Sequence, residues 1–155
     1  MGMLSQYMCE RAKGTRHAIV IDPADQSPDV AANRALAAAH AGSQMILVGG
    51  SSDTDMKNVH ATIVAIKEAL ELVTWASSQD SDSDENPSQI PVVLFPQGAA
   101  ALSPAADGIT FMMLMNSKDP RFLIGEQVRG APFVKKSGIE PVPMGYLICE
   151  PGGKA

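Results

Sequence analysis

Short unbroken apolar runs alternate along this chain with longer segments whose apolar residues recur every three or four positions. The runs Ala18-Ile19-Val20-Ile21, Met45-Ile46-Leu47-Val48, Val92-Val93-Leu94-Phe95, Gly108 to Met115 and Met144 to Cys149 read as strands. They lack an alternating polar residue, so both faces of each are expected to be buried, as in a parallel sheet. Between the first two runs, Ser27-Pro28-Asp29 offers an N-cap, a proline at the first helical position and an acid in the first turn. The alanine-rich segment that follows is predicted to stay helical through Ala41 and stop at Gly42. Asp53 or Thr54 is expected to cap the next helix, whose residues Met56, Val59, Ile63, Ile66, Leu70 and Val73 form one apolar stripe. His60 lies beside that stripe with no partner at metal-ligand spacing and reads as an ordinary helix histidine. A further helix is predicted from Asp119-Pro120, shortened or kinked by Gly130 and Pro132. Residues 1–16 give only a weak signal for a leading helical turn.

The resulting order, strand and helix in turn, implies a parallel sheet with right-handed crossovers. Two closures fit it. An open doubly wound sheet of five strands would be complete at 155 residues, whereas a (β/α)₈ barrel needs about 250. On the barrel reading, the chain is a single truncated domain over 1–155 that supplies about five of the eight βα units. Its open ends, strands one and five, would then be aggregation-prone edges. The polar, acidic stretch Ser77 to Gln89 interrupts the pattern and reads as a disordered surface insertion without a role.

Charge narrows the possible partners. A net charge of −5 and a pI near 5.1 argue against a nucleic-acid surface, because no basic stripe compensates. Cys9 and Cys149 lie far apart with no metal spacing, so a reducing, cytoplasmic setting is expected. No apolar run reaches the roughly 20 residues of a membrane span, which leaves a peripheral contact with a bilayer open.

Chemistry gathers where strands end. The second run stops at Gly49-Gly50-Ser51-Ser52 and the first at Asp22-Pro23. In α/β folds, ligands sit beyond the carboxyl ends of parallel strands. Glycines there let backbone N–H groups approach a phosphate. A carboxylate (Asp22) and a hydroxyl (Ser51) emerging side by side suit Mg²⁺ carrying a polyphosphate. Read from residue types alone, the same positions fit a turn-capping aspartate and a simple glycine turn equally well. Asn116, Tyr146 and Glu150, near the ends of strands four and five, join Gly49 and Gly50 as candidate substrate-binding positions. No catalytic acid or base stands out.

Taken in order, His17 to Pro23, Val48-Gly49-Gly50-Ser51, Pro91 to Pro96, Phe111 to Ser117, Pro141 to Ile148 and Glu150-Pro151-Gly152-Gly153 resemble the geranylgeranylglyceryl phosphate synthases. These are prenyltransferases related to the bacterial heptaprenylglyceryl phosphate synthases. The resemblance implies a (β/α)₈ barrel that joins geranylgeranyl diphosphate to sn-glycerol 1-phosphate in archaeal ether-lipid synthesis, with Asp22 and Ser51 as the Mg²⁺ ligands. It also implies homo-oligomers for full-length members. Many members read Asp-Pro-Asp-Lys where this chain has Asp22-Pro23-Ala24-Asp25-Gln26, and Phe95-Pro96-Gln97-Gly98 replaces a more usual Gly-Asn pair. The family's later glycine-rich loops for glycerol phosphate have no counterpart in these 155 residues, so the chain is expected to be the amino-terminal part of a synthase, inactive alone. The rival from another class is a five-stranded phosphate-binding or signalling module without catalytic activity. A receiver-like module would want an aspartate where Phe95-Pro96 stands.

Overall fold

The computed structural model describes residues 2–10, 14–50, 54–80 and 90–149. Strands β1 (Ala18–Ile21), β2 (Met45–Val48), β3 (Val92–Leu94), β4 (Gly108–Leu114) and β5 (Glu140–Tyr146) form one sheet. Every neighbouring pair is parallel, and the spatial order is the chain order, β1-β2-β3-β4-β5. Helices α1 (Met3–Cys9), α2 (Pro28–His40), α3 (Met56–Asp80) and α4 (Glu126–Ser137) surround it.

This order decides between the two closures. A doubly wound sheet reverses direction at a switch point, which puts helices on both faces. Here each crossover advances by one strand in the same direction, so crossovers of one hand lay their helices on one face and leave the other as an inner wall. The five strands are therefore a wall of a (β/α)₈ barrel, and the doubly wound alternative is set aside.

Burial follows the same division. On the helix side, Ile21, Ile46, Val48, Val92, Leu94 and Ile109 pack with Ala31, Ala35, Val59, Ile63 and Ile66 in the main core. Each large aliphatic side chain contributes about 1.5–3 kcal/mol there. The alternate residues face inward: Met45, Val93 and Val142 form a second cluster with Leu4 of α1, and Leu47, Tyr7 and Met8 lie against it. Val20, between two core isoleucines, points to the same inner side and is 52 % exposed.

Several boundaries differ from the sequence expectations. The cap of α3 is not Thr54 but Asp55, whose carboxylate accepts the Asn58 N–H at 2.7 Å while the Asn58 side chain accepts the Asp55 N–H at 2.9 Å, and Asp53 lies outside the described residues. This reciprocal pairing is a capping box built with asparagine. Ser77 to Asp80, read as disordered, continue α3 as helix, and residues 81–89 lie outside the described residues. α4 runs on through Gly130 and Pro132 to Ser137. Gly130 is buried against Leu102 and Ala99, and the irregularity falls upstream in a π-helical turn at Arg121–Gly125.

β5 starts four residues earlier than the apolar run suggested and contains Pro141 and Pro143. The Met115 N–H donates to the Tyr146 carbonyl, so the even-numbered residues of β5 turn their backbone groups toward β4. The odd-numbered ones, both prolines included, turn theirs away from β4. Prolines are tolerated there because no bond of the β4–β5 ladder is lost.

Candidate functional site

The glycine pair after β2 is explained by its neighbours. A Cβ on Gly49 would lie 1.9 Å from the Phe95 carbonyl oxygen, and one on Gly50 would lie 1.7 Å from Asp22 Oδ2. The ends of β1, β2 and β3 therefore converge on two residues that have no side chain. Around this point opens a cavity of about 510 Å³, lined by Asp22, Asp25, Gln26, Arg34, Gly49 and Gly50 on its polar side. Val20, Phe95, Pro96, Met112, Phe122 and Ile148 form its apolar side. Gln97 and Tyr146 complete the described lining and also border a side crevice of about 50 Å³ that runs toward Leu102, Phe111 and Gly130.

Asp22 follows the last residue of β1, and its loop is tightly held. Its Oδ1 accepts the Ala24 N–H at 2.9 Å, and its backbone carbonyl accepts the Gln26 side-chain amide at 2.8 Å. The Gln26 oxygen in turn accepts Arg34 Nη1 of α2 at 2.6 Å. Among the described residues no donor reaches Asp22 Oδ2, the oxygen lying against Gly50. Those residues contain no group of three or more His, Cys, Asp or Glu able to hold a metal ion. The donor set nonetheless fits Mg²⁺, which usually takes one or two carboxylates and fills the rest of its octahedron with substrate phosphates and water.

Opposite Asp22, the loop after β3 is fastened by Glu126 at the start of α4. Its carboxylate accepts the Ala99 N–H at 2.7 Å and pairs with Arg121 at 2.7 Å and Arg129 at 3.0 Å. Burial pushes the Glu126 carboxyl up, but the Ala99 hydrogen bond and the two arginines outweigh it and hold it below its ordinary value. Burial raises the Tyr146 phenol, which keeps it a neutral hydrogen-bonding group at the cavity wall.

The positions singled out from sequence fare differently. Asp22, Gly49, Gly50 and Tyr146 come together around the cavity. The Asn116 side chain is occupied elsewhere: its amide donates to the Ile148 carbonyl at 2.8 Å and its oxygen accepts the Ile148 N–H at 3.3 Å, extending the β4–β5 ladder. Ser51 and Glu150 lie outside the described residues. His60 bonds the buried Ser103 hydroxyl at 2.9 Å, as an ordinary helix histidine would. Sequence reading missed Gln26, Arg34, Phe122 and Glu126. Arg34 had one usable signal, since it is the single Lys or Arg within the alanine-rich α2.

Among the described residues, no helix is long and apolar enough to cross a membrane. Solved structures of similar fold include a wild-type GGGPS from Thermoplasma volcanium, with TM-score 0.78 and 38% identity, covering 99% of this chain and 55% of that one. Another is (S)-3-O-geranylgeranylglyceryl phosphate synthase from Thermoplasma acidophilum in complex with sn-glycerol-1-phosphate, with TM-score 0.79 and 33% identity, covering 98% and 54%. Among curated relatives, the geranylgeranylglyceryl phosphate synthase of Methanococcoides burtonii is 43% identical over 152 residues, 97% of this chain and 54% of the relative. That of Methanosarcina mazei is 41% identical over 140 residues, 90% and 49%. The chain thus spans about half the length of the curated relatives it matches. The PcrB family model matches residues 9–155, and with the barrel wall and its rim already in place, the chain belongs to the PcrB family.

Proposed function

We propose that this chain carries the diphosphate-handling part of a prenyltransferase that joins geranylgeranyl diphosphate to sn-glycerol 1-phosphate. The observation that carries this reading is the meeting of the Asp22 carboxylate with the side-chain-free backbone of Gly49-Gly50 at the mouth of a half-apolar cavity. The similarity to synthases of that name supports the substrate pair.

On this reading Asp22 holds Mg²⁺ through the oxygen beside Gly50, with Ser51 as the second protein ligand. Bound Mg²⁺ offsets charge on the diphosphate and so makes it a better leaving group. Gly49 and Gly50 bring backbone groups close to the phosphates. Phe95, Met112, Phe122 and Ile148 receive the first prenyl units and keep water from the allylic carbon, where positive charge grows as the carbon–oxygen bond to diphosphate breaks. The acceptor hydroxyl then forms the new ether bond at that carbon, its proton passing to the departing diphosphate. Tyr146 contributes a neutral hydroxyl at the wall, and Glu150 joins it as a substrate-binding position. The product is an ether lipid of the archaeal type, consistent with a cytoplasmic enzyme that meets the bilayer only at its surface and assembles as a homo-oligomer.

Equilibrium binding of geranylgeranyl diphosphate to this chain, with and without Mg²⁺, tests the reading. Tight binding that needs Mg²⁺ and is lost in Asp22→Asn is expected. Equal binding by the wild type and the variant would refute the metal role.

A further inference from the structure

We infer that Arg34 is the anion-binding cation of this site, held in place by Gln26 and gripping the diphosphate oxygens that the metal leaves uncovered. This rests on the proposed function and adds a residue to it. Among the described residues, the lining of the large cavity contains two acids, Asp22 and Asp25, and one cation, Arg34. A diphosphate entering past two carboxylates needs positive charge beyond that of one divalent ion, and Arg34 is the side chain at hand.

Its placement is built rather than incidental. α2 is capped by Ser27, starts at Pro28 and is anchored by the fully buried Ala31 and Ala35, so the backbone carrying Arg34 is fixed. One guanidinium N–H is engaged by Gln26 at 2.6 Å, which leaves most of the planar fork for phosphate oxygens. The same Gln26 amide holds the Asp22 carbonyl at 2.8 Å. Gln26 thus links the two groups that would touch opposite sides of one diphosphate. Gln26 is a positioning residue, and Arg34 touches the substrate.

The test is calorimetric titration of inorganic pyrophosphate with Mg²⁺ into the 155-residue chain and its variants Arg34→Ala, Arg34→Lys, Gln26→Ala and Asp22→Asn. Arg34 is exposed, so its replacement leaves the core alone, and an unchanged melting curve verifies that. Arg34→Ala is expected to weaken binding about tenfold or more and to flatten its salt dependence. Arg34→Lys should recover part of the loss, since charge returns without the fork, and Gln26→Ala should lose a smaller factor. If Arg34→Ala binds as tightly as wild type while Asp22→Asn does not bind, the Arg34 assignment is overturned and the proposed function stands. If the wild-type chain takes up no Mg²⁺-pyrophosphate, both are overturned.

Discussion

The two ends of the sheet are built from the same strands and do opposite things. At the amino end, α1 acts as a stopper. Leu4 enters the inner cluster, Tyr7 bonds the Gln44 carbonyl at 2.7 Å, and the Arg16 guanidinium stacks 3.7 Å from the Tyr7 ring centroid. Glu140, at the start of β5, caps α1 from across the sheet, accepting the Leu4 N–H at 2.7 Å, the Ser5 N–H at 2.9 Å and the Ser5 hydroxyl at 2.6 Å. At the carboxyl end, the space beside Asp22 stays open and one carboxylate oxygen has no described donor. A paired carboxylate stabilises the fold, and one left available can bind. Even the glycines divide this way: Gly2 and Gly108 make room for the stopper, Gly49 and Gly50 for the rim.

The largest effect expected is at the rim. Gly50→Ala places a Cβ where Asp22 Oδ2 sits, so the carboxylate must move. Titration calorimetry should show Mg²⁺-dependent pyrophosphate affinity falling by about 10–100-fold, the usual cost of disturbing the support of a metal ligand. Gly108→Ala is the matching change at the stopper. Its Cβ would meet Leu4 Cδ2 at 2.4 Å and the Glu140 carbonyl oxygen at 2.8 Å, a clash expected to cost about 1–3 kcal/mol in denaturant unfolding while pyrophosphate affinity holds. Glu140→Gln keeps the shape and removes the charge. About 1–2 kcal/mol of stability should go with it, again without loss at the rim.

The smallest effect is in the pH profile of stability. Burial pushes Glu140 up, but its hydrogen bonds from Ser5 and Leu4 outweigh that and depress it, and Glu126 is depressed as well. Both carboxyls therefore sit below the ordinary 4.5 in the folded chain. Their contribution is fully present above that value and is lost as the pH falls through their folded values. Thermal melts between pH 6 and about 3 should show this acid loss reduced in Glu140→Gln.

Much of this architecture was legible in the order of residues. Unbroken apolar runs such as Ile46 to Val48 and the stripe from Val59 to Ile66 carry their own period, and the carboxyl-end rule pointed to Asp22 and the glycine pair. What stayed hidden depends on partners distant in sequence. Glu140 caps a helix more than 130 residues away, and Glu126 fastens a loop whose apolar pattern says nothing of it. β5 starts earlier than expected because two prolines argue against a strand unless both turn away from the neighbouring strand, and sequence does not say which way they turn. The role of Gly49 and Gly50 was read as phosphate approach. The structure adds a packing reason, the close fit against Phe95 and Asp22.

The contrast between a sealed end and a receptive one is tested most directly by paramagnetic NMR, with Mn²⁺ standing in for Mg²⁺ in the presence of pyrophosphate. Amide signals of Asp22 to Gln26 and of Gly49 and Gly50 should broaden first, while those of Leu4, Ser5 and Glu140 stay sharp. Broadening centred on α1 and the start of β5, or spread evenly over the chain, would contradict the account.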